Sequence, residues 1–387
     1  MKKCLAEGGI VRGSPTNDMG NAFIWSGFRY YLRQPTDSYV VFSPVKYWKA
    51  QHLVKKQFLE GFAFNRKHFH TNIEACIMVA LWANIDDVAT EELILTGYDI
   101  IGERWTEYPR KLPVKRIYTN YSEKYYDKRK AAMNEEIGIL CGLNGLQKVG
   151  GKQTNKPVMG DEIIGYLVAH SSGFDNPDLD SSLLVAGRYD GHGFYLHRDN
   201  FLEKLPMFAA SRYIRYNKSW TERARIMKSA DGAERFNTDV KSGKLSQFLL
   251  KCLLFTCLEQ QNHMRTFMGS DGRKYRNELC LDATNGETVA TTAIKNLQQS
   301  KKETELIKQW ENILRYAKCL ESYDSTLTYG VYQLSVELDT SHKDEVTGGT
   351  VWDNVELHSA LTALKGLVKE YYNTEIVPVL FEYEFIK

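Results

Sequence analysis

Residues 40–49 read VVFSPVKYWK, a β-branched run that breaks off at Ser-Pro and is followed by two aromatic residues. The composition of SYVVF (38–42) is typical of a buried strand, and ACIMVALW (75–82) has the same character. Between them, WKAQHLVKKQFLEG (48–61) has the spacing of a helix that a glycine would stop. An amphipathic helix is expected ahead of the first strand, over residues 20–34. This alternation of helix and strand predicts an α/β sheet near the N-terminus.

The remainder of the chain has a different pattern. Residues 92–120 contain short strand-like segments separated by turn residues. Helices are expected over 129–145, 241–263 and 301–322, and the middle one is apolar on most of its circumference, which indicates burial. Residues 354–387 predict a further helix, NVELHSALTALKGLVKEYY, and a closing strand-like segment, IVPVLFEYEFIK.

Charge is unevenly distributed along the chain. The 387 residues are 43% apolar and 25% charged, and the formal net charge is only +2. Residues 204–276 hold 15 Lys or Arg against 6 Asp or Glu, a balance of about +9, and residues 277–387 hold 10 against 18, about −8. The basic middle indicates a polyanionic partner, whereas the acidic tail is compatible with either a docking role or simple solubility.

Cysteine usage and hydropathy indicate a reducing compartment. The seven cysteines are scattered without a C-x-x-C pair, so neither a zinc ribbon nor a disulfide framework is indicated. Several lie in apolar runs and are predicted to be buried free thiols. No stretch approaches the roughly 18 apolar residues of a membrane span, and the N-terminus lacks the apolar segment of a signal peptide. We therefore expect a cytoplasmic protein with no membrane partner.

Five stretches carry a resemblance to a known family. DSYVVFSPVKYWK and GFAFNRKHFHTNIEACIMVALWAN resemble the second half of the catalytic domain of amino-group DNA methyltransferases, of the adenine-N6 type found in restriction–modification systems. Three later segments are also similar to such proteins: LLVAGRYDGHGFYLHRDNFLEKLPMFAASRYI, QNHMRTFMGSDGRKYRNELCLD and LKGLVKEYYNTEIVPVLFEYEFIK. The resemblance implies duplex DNA as substrate and S-adenosylmethionine as methyl donor. It also implies a partial Rossmann-like sheet over 1–92, an α+β target-recognition region over 93–298 and a mostly helical region over 299–387.

The chain departs from this family at its catalytic loop. The family carries an Asp, Asn or Ser, two prolines and an aromatic residue, which orient the target amino group toward the methyl donor. None of the nine prolines here is adjacent to another, and Lys46 stands where the aromatic residue should stack. Ser43-Pro44 is therefore expected to end a strand, and no catalytic residue is assigned.

The Gly-rich cofactor loop of the family is not evident either. Three Gly-rich segments are candidates for it: AEGGIVRG (6–13), CGLNGLQKVGG (141–151) and LCLDATNGETVA (279–290). The last has an apolar run before it but lacks a proline and a second glycine, so a β-turn carrying Asn285-Gly286 is the simpler interpretation. We therefore expect the cofactor site and the catalytic loop to lie outside this sequence, either on a second chain or on a part lost from a truncated remnant.

Phe69 is the first candidate for a functional side chain. Enzymes that act on a base swing it out of the duplex and hold it against an aromatic face, and the resemblance gives Phe69 this role. The alternative is that Phe64 or Phe69 packs beneath the loop. Asn65, Arg66 and two histidines crowd the same segment; phosphate contact by Arg66 is favoured over metal binding because no acidic or cysteine partner accompanies the histidines.

Basic residues interleaved with aromatic ones are the clearest signal in the sequence itself. Arg and Lys neutralise phosphates, Arg can bind guanine edges, and aromatic rings can stack on bases. The alternative for any single run is a solvated charged face. The candidate DNA-binding residues are Arg66, Arg110, Lys111, Lys115, Arg116, Arg212, Arg215, Lys218, Trp220, Arg223, Arg225, Lys228, Arg273, Lys274 and Arg276.

These observations predict the DNA-binding, target-recognition part of an adenine-N6 DNA methyltransferase that is inactive alone. A second chain would supply the missing half. The alternative is a stand-alone DNA-binding protein, either a specificity subunit or a remnant. A restriction endonuclease is disfavoured because ELIKQW, VELD and LEKL lack the Glu-x-Lys spacing that such enzymes use to hold magnesium.

Overall fold

The computed structural model describes residues 19–49, 56–69, 75–86, 91–129, 148–149, 152–153, 162–169, 173–174, 182–184, 193–268 and 274–387. Within these residues the chain is a mixed α/β protein whose C-terminal part is mostly helical. The helix predicted over 129–145 lies almost entirely outside them.

A six-stranded mixed sheet follows the first helix, α1 (Met19–Ser26), which a π-helical turn extends over Gly27–Tyr31. The predicted first helix is thus confirmed, as are the two strands quoted above. The strands are β1 (Ser38–Pro44), β2 (Lys56–Asn65), β3 (Cys76–Asp86), β4 (Glu92–Ile101), β5 (Arg104–Glu107) and β6 (Leu112–Lys115). The last three agree with the prediction of short strands over 92–120.

The helix predicted between the first two strands is wrong in its second half. Among the described residues of this segment, Lys46–Lys49 (α2) is helical, and from Lys56 the chain is the ten-residue strand β2. Pairing along most of β3 overrides the local helical spacing, and it brings Ala63 and Phe58 of β2 to the core of the sheet. Gly61 is needed for this packing, since a Cβ there would lie 2.6 Å from Leu95 Cδ2.

The strand order places three parallel strands around one reversed strand. The order is β1-β3-β2-β4-β5, with β6 paired to β4. Strand β3 is antiparallel to both neighbours, and β2 is parallel to β4, so β1, β2 and β4 run in the same direction. One face of the sheet is a core that includes Met78, Trp82 and Leu93, and it is closed by Trp220 and Ala224 of a later helix. A mixed sheet with parallel strands is therefore present, as expected.

Short strands and a long series of helices follow. Three strands form a second sheet: β9 (Ile163–Val168), β10 (Ser182–Leu184) and β11 (Gly193–His197). The remaining strands pair in twos: β7 (Lys148–Val149), β8 (Lys152–Gln153), β12 (Phe267–Met268), β13 (Lys274–Tyr275), β14 (Ser341–Lys343) and β15 (Thr350–Trp352). The helices are α3 (Tyr121–Lys124), α4 (Phe201–Ser211), α5 (Tyr213–Tyr216), α6 (Trp220–Arg225), α7 (Ala233–Lys241), α8 (Ser246–Leu258), α9 (Val289–Ile294), α10 (Lys301–Lys318), α11 (Val331–Glu337), α12 (Val355–Tyr371) and α13 (Val377–Glu382).

Helix α8 is the centre of the larger core. Ten of its thirteen residues are buried, which confirms the prediction of a buried helix over 241–263. Its thiols Cys252 and Cys257 are buried and free, as are Cys76 and Cys280, so the predicted buried thiols are confirmed for these four; Cys319 is exposed. Helices α10 and α12 confirm the helix predicted over 301–322 and the one predicted at the start of 354–387.

The closing strand predicted from the β-branched tail is wrong. The chain continues α12 through a π-helical turn, Tyr372–Ile376, into α13, and near its end only a single bridge joins Ile386 to Lys228. Helical continuation buries Tyr372 against Phe255 of α8, with ring centroids 4.9 Å apart. A single hydrophobic core contains side chains from both sides of the proposed boundary at 298/299. The boundary at 92/93 likewise falls inside β4, which together with β5 and β6 completes the first sheet.

Candidate functional site

The carboxyl ends of three strands meet at one edge of the first sheet. Pro44, Phe64 and Tyr98 lie in one row across β1, β2 and β4, with Ile77 of the reversed strand between the first two. In open sheets with parallel strands this is the edge where ligands bind. Ser43 is buried and Pro44 is the last residue of β1, so the prediction that Ser43-Pro44 ends a strand is confirmed.

A short 3-10 helix, Arg66–Phe69, holds Phe69 at this edge. The Arg66 N–H donates to the Ala75 carbonyl (2.7 Å), which fixes the turn that follows β2. The Phe69 ring makes edge contacts with Phe42 and Phe64, whose centroids lie 5.5 and 6.3 Å away. Its side chain is nevertheless 37% exposed. Phe69 is therefore oriented by two rings and still open to a ligand.

Further aromatic rings surround Phe69. Phe64 stacks on Tyr98 at 5.7 Å and meets Trp105 edge-on at 5.2 Å. Phe42 and Trp105 are 55% and 52% exposed, which is unusual for such large apolar side chains. We call Phe42, Phe64, Phe69, Tyr98 and Trp105 the aromatic edge. Edge-to-face contacts of this kind hold each ring at a set angle, and the exposed rings offer stacking surface.

A side-chain hydrogen bond joins the 3-10 helix that carries Phe69 to β4. His68 Nε2 is in close contact with Asp99 Oδ1, and the Ile100 N–H donates to the same oxygen (2.9 Å). Partial burial opposes ionisation of Asp99, yet the hydrogen bonds from His68, Ile100 and Asn65 hold its pKa below the ordinary value. The carboxylate therefore stays charged and fixes the 3-10 helix. The second histidine of this segment, His70, lies outside the described residues.

The predicted DNA-binding residues divide into three groups by exposure. One of them, Arg273, lies outside the described residues. The exposed side chains are Arg110, Lys111, Lys115, Arg215, Lys218 and Lys274. The half-buried ones are Arg66, Arg223, Arg225 and Arg276. The buried ones are Arg116, Arg212, Trp220 and Lys228.

The four buried side chains have partners inside the protein. Arg116 lies over the Trp48 ring (5.1 Å), and Lys228 Nζ donates to the Ala169 carbonyl (2.7 Å). Arg212 pairs with Glu259 (3.4 Å), and Trp220 closes the core of the first sheet. Because all four side chains are buried, none of them can reach a phosphate on the surface, and none is retained as a DNA contact.

Several of the other basic groups are also engaged. Arg225 pairs with Glu222 (2.6 Å), and Arg276 pairs with Glu278 (3.0 Å). Lys274 Nζ donates to the Thr326 carbonyl (2.6 Å) at the mouth of a 420 Å³ cleft that Arg276 and Glu278 also line. These contacts satisfy the charges locally, which makes their guanidinium and ammonium groups less available to an external anion.

Two of the exposed basic side chains line a second cleft. Arg215 and Lys218 line a cleft of 450 Å³ together with Lys365 and Lys369 of α12. Sequence reasoning missed these two lysines because they lie in the acidic tail. Their i, i+4 spacing was the available signal, since it places both on one face of a helix.

The described residues do not fit an S-adenosylmethionine loop. Of the three Gly-rich segments weighed above, the first lies outside the described residues and the second lies almost entirely outside them. In the third, the Gly286 N–H donates to the Ala283 carbonyl (3.1 Å) with φ of +96° at Gly286, which confirms the predicted β-turn. Asp282 there accepts from the Tyr329 N–H (2.9 Å). No methyl-transfer step is therefore derived for this chain.

Comparison of the chain with models of protein families, with curated proteins and with solved structures finds no match. Within the described ranges, no helix combines the length and apolar character needed to cross a bilayer. In the same part of the chain, no three His, Cys, Asp or Glu side chains come together in a group that could hold a metal ion.

Proposed function

We propose that this chain is the DNA target-recognition part of an adenine-N6 DNA methyltransferase of a cytoplasmic restriction–modification system. In this proposal the six-stranded sheet is part of a Rossmann-like methyltransferase sheet. The observation that carries the proposal is Phe69, which is held by two rings at the carboxyl edge of the sheet and is still 37% exposed.

Phe69 would receive the flipped adenine. Moving a base out of the duplex costs a few kcal/mol, and stacking of that base on an aromatic ring stabilises the flipped state by about 1–3 kcal/mol. Fixed rings suit this task because the face is already in place when the base arrives. Arg66 lies in the same 3-10 turn, three residues before Phe69, and would contact the phosphate of the flipped nucleotide.

The other exposed basic residues would contact the duplex backbone. Lys115 pairs across from Glu92 at the amino end of β4 and would contact DNA away from the aromatic edge. Lys111 Nζ donates to Thr96 Oγ1 (2.7 Å), so Lys111 and its neighbour Arg110 would contact DNA closer to Tyr98. Arg215 and Lys218 would add contacts from the helical part, whereas Lys274 on β13 contributes less because its ammonium group already donates to Thr326. Phosphate contacts of this kind position the duplex and carry no sequence information directly.

Methyl transfer would depend on a second chain. No two prolines are adjacent in this sequence, so the loop that orients the amino group must come from elsewhere. S-adenosylmethionine would be held by that second chain and supply the methyl group. The alternative, a stand-alone DNA-binding specificity protein, needs neither the second chain nor a flipped base.

The test compares two labelled duplexes by fluorescence anisotropy, one fully paired and one with an adenine opposite an abasic site. An adenine without a partner is easier to unstack, so the chain should bind the second duplex more tightly. Phe69→Ala should lower this preference about 5- to 100-fold, the equivalent of one lost stacking contact. Phe381→Ala is the matched control, because Phe381 is also 37% exposed and lies on α13.

Three results are informative. Loss of the preference in Phe69→Ala alone supports the proposal. Tight duplex binding with no preference for the unpaired adenine favours the stand-alone DNA-binding alternative. Equal loss in Phe69→Ala and Phe381→Ala overturns the role of Phe69.

A further inference from the structure

The cleft bounded by α5, the end of α8 and α12 has four exposed basic side chains on its rim. Arg215 and Lys218 come from one wall, and Lys365 and Lys369 from the other. We call these four residues, with the 450 Å³ space between them, the basic cleft.

The two walls are locked together by aromatic and amide contacts. Tyr216 packs on Tyr372 with centroids 4.8 Å apart, and Asn217 Nδ2 donates to Asn373 Oδ1 (3.4 Å). On α12, Leu364 and Val368 are buried in the core, so the helix presents Lys365 and Lys369 outward. The distance between the walls is therefore set by the core and does not depend on a flexible loop.

The one carboxylate that lines the cleft is already engaged. Glu259 is 4% exposed and accepts hydrogen bonds from the Tyr216 hydroxyl (2.9 Å) and the Gln261 N–H (2.6 Å), with Arg212 beside it at 3.4 Å. Burial, with Glu259 as the next cause, raises the pKa of Tyr216, so its hydroxyl remains a donor. Glu259 is thus unavailable to the four cations of the rim.

None of the four rim cations forms an ion pair with another described residue. Four like charges around one cleft repel each other, and an anion in the cleft would offset this repulsion.

We propose that the basic cleft binds backbone phosphates of DNA, with Lys365 and Lys369 as contacts from the tail. This inference rests on the proposed function. Long exposed side chains on a rim suit a polyanion that lies across the cleft, whereas a dedicated small-anion site usually has buried donors and backbone N–H groups. The region with the net acidic charge thereby contributes two cations to the DNA-binding surface.

The test is the salt dependence of duplex binding. Lys365→Ala/Lys369→Ala should weaken binding of a random-sequence duplex about 10-fold at low salt. It should also reduce the slope of log affinity against log salt by about 1–2, since two phosphate contacts are lost. Lys308→Ala/Lys318→Ala is the matched control, because both lysines are exposed on α10 and lie away from the cleft. Thermal unfolding of all variants checks that the fold is intact.

The outcomes separate this inference from the proposed function. A normal slope in Lys365→Ala/Lys369→Ala, with duplex binding retained, overturns the inference and leaves the role of Phe69 standing. Failure of the wild-type chain to bind any duplex overturns both. If inorganic pyrophosphate stabilises the wild type but not Lys365→Ala/Lys369→Ala, and the slope is unchanged, the cleft binds free phosphate and the DNA assignment is wrong.

Discussion

The aromatic edge and the basic cleft are built in opposite ways. The rings of the aromatic edge all come from residues 42–105; four of the five stand on strands of one sheet, and Phe69 stands on the 3-10 helix that follows β2. The cations of the basic cleft come from residues 215–218 and 365–369, which only the packing of α12 on the helical core brings together. One site is made within a sheet, the other between distant segments.

The difference follows from the two kinds of interaction. Stacking is short-range and depends on ring angle, so it requires side chains fixed by rigid strands. Attraction between a lysine and a phosphate extends over several ångströms and tolerates movement, so long side chains on a helix surface are sufficient. Substitutions at the aromatic edge should therefore change which base state is bound, and substitutions at the basic cleft should change salt dependence.

The largest effect is expected from removing the carboxylate that lines the basic cleft. Glu259→Ala removes the carboxylate beside the buried guanidinium of Arg212, which should lower the free energy of unfolding by about 3–5 kcal/mol in urea denaturation. Glu382→Ala is the control, because its pair with Arg235 is about half exposed and should be worth less than about 1 kcal/mol. Equal losses in the two variants would show that Arg212 is not held by Glu259.

Lowering the pH should reduce the free energy of unfolding through a different group, and over a different pH range, in each of the two regions. Burial lowers the pKa of His263, near the cleft, to about 4, whereas an unfolded histidine titrates near about 6.5. Between these values the unfolded state binds more protons, so this histidine should lower the stability by about 2–3 kcal/mol as pH falls from about 6.5 to 4. Asp99 at the aromatic edge, whose pKa is lowered, keeps its contribution until the pH falls below the ordinary carboxyl value.

Urea unfolding at several pH values, of the wild type and His263→Gln, measures this difference. The decline should be shallower in the variant by the stated amount. His197, whose pKa burial also lowers, contributes equally in both proteins and does not disturb the comparison. Parallel curves for wild type and variant would show that His263 takes up its proton as readily when folded as when unfolded.

The smallest effect is expected at the support of Phe69. Phe42→Ala removes one of the two rings that orient Phe69, and this contact is worth about 0.5–1.5 kcal/mol. The preference for the duplex with an unpaired adenine should fall about 2- to 10-fold, while the salt slope stays constant. Val40→Ala is the control, since Val40 lies two residues earlier on β1 with similar exposure (58%) and carries no ring. A changed salt slope in Phe42→Ala would remove the distinction between the two regions.

Sequence patterns correctly predicted those strands and helices whose local sequence preference matched their burial and pairing in the folded chain. The β-branched segment of β1, the apolar run of β3 and the helices α8, α10 and α12 are at the expected places. The second half of the segment 48–61 was wrong because pairing with β3 outweighed its helical spacing. The closing segment was wrong because burying Tyr372 on α8 favoured continued helix over the β-branched preference.

For the candidate site residues, too, the sequence alone does not show which distant segments pack together. The family resemblance singled out Phe69, but only the structure shows that Phe42, from a strand distant in sequence, lies beside its ring. Arg212 and Arg215 are indistinguishable by composition, yet one is 1% exposed beside Glu259 and the other is on the rim of the cleft. Lys365 and Lys369 were passed over because a net charge counted along the chain does not show where a helix face will point.

The sequence by itself determined the local preferences for strand and helix, the basic middle, and the lack of adjacent prolines that rules out the usual catalytic loop. Only the tertiary structure decided the direction of each strand, the exposure of each cation and the meeting of residues 215–218 with 365–369. The physical reason is the range of the interactions. Propensity and composition act between neighbours in the chain, whereas burial and charge clustering depend on which distant segments share one core.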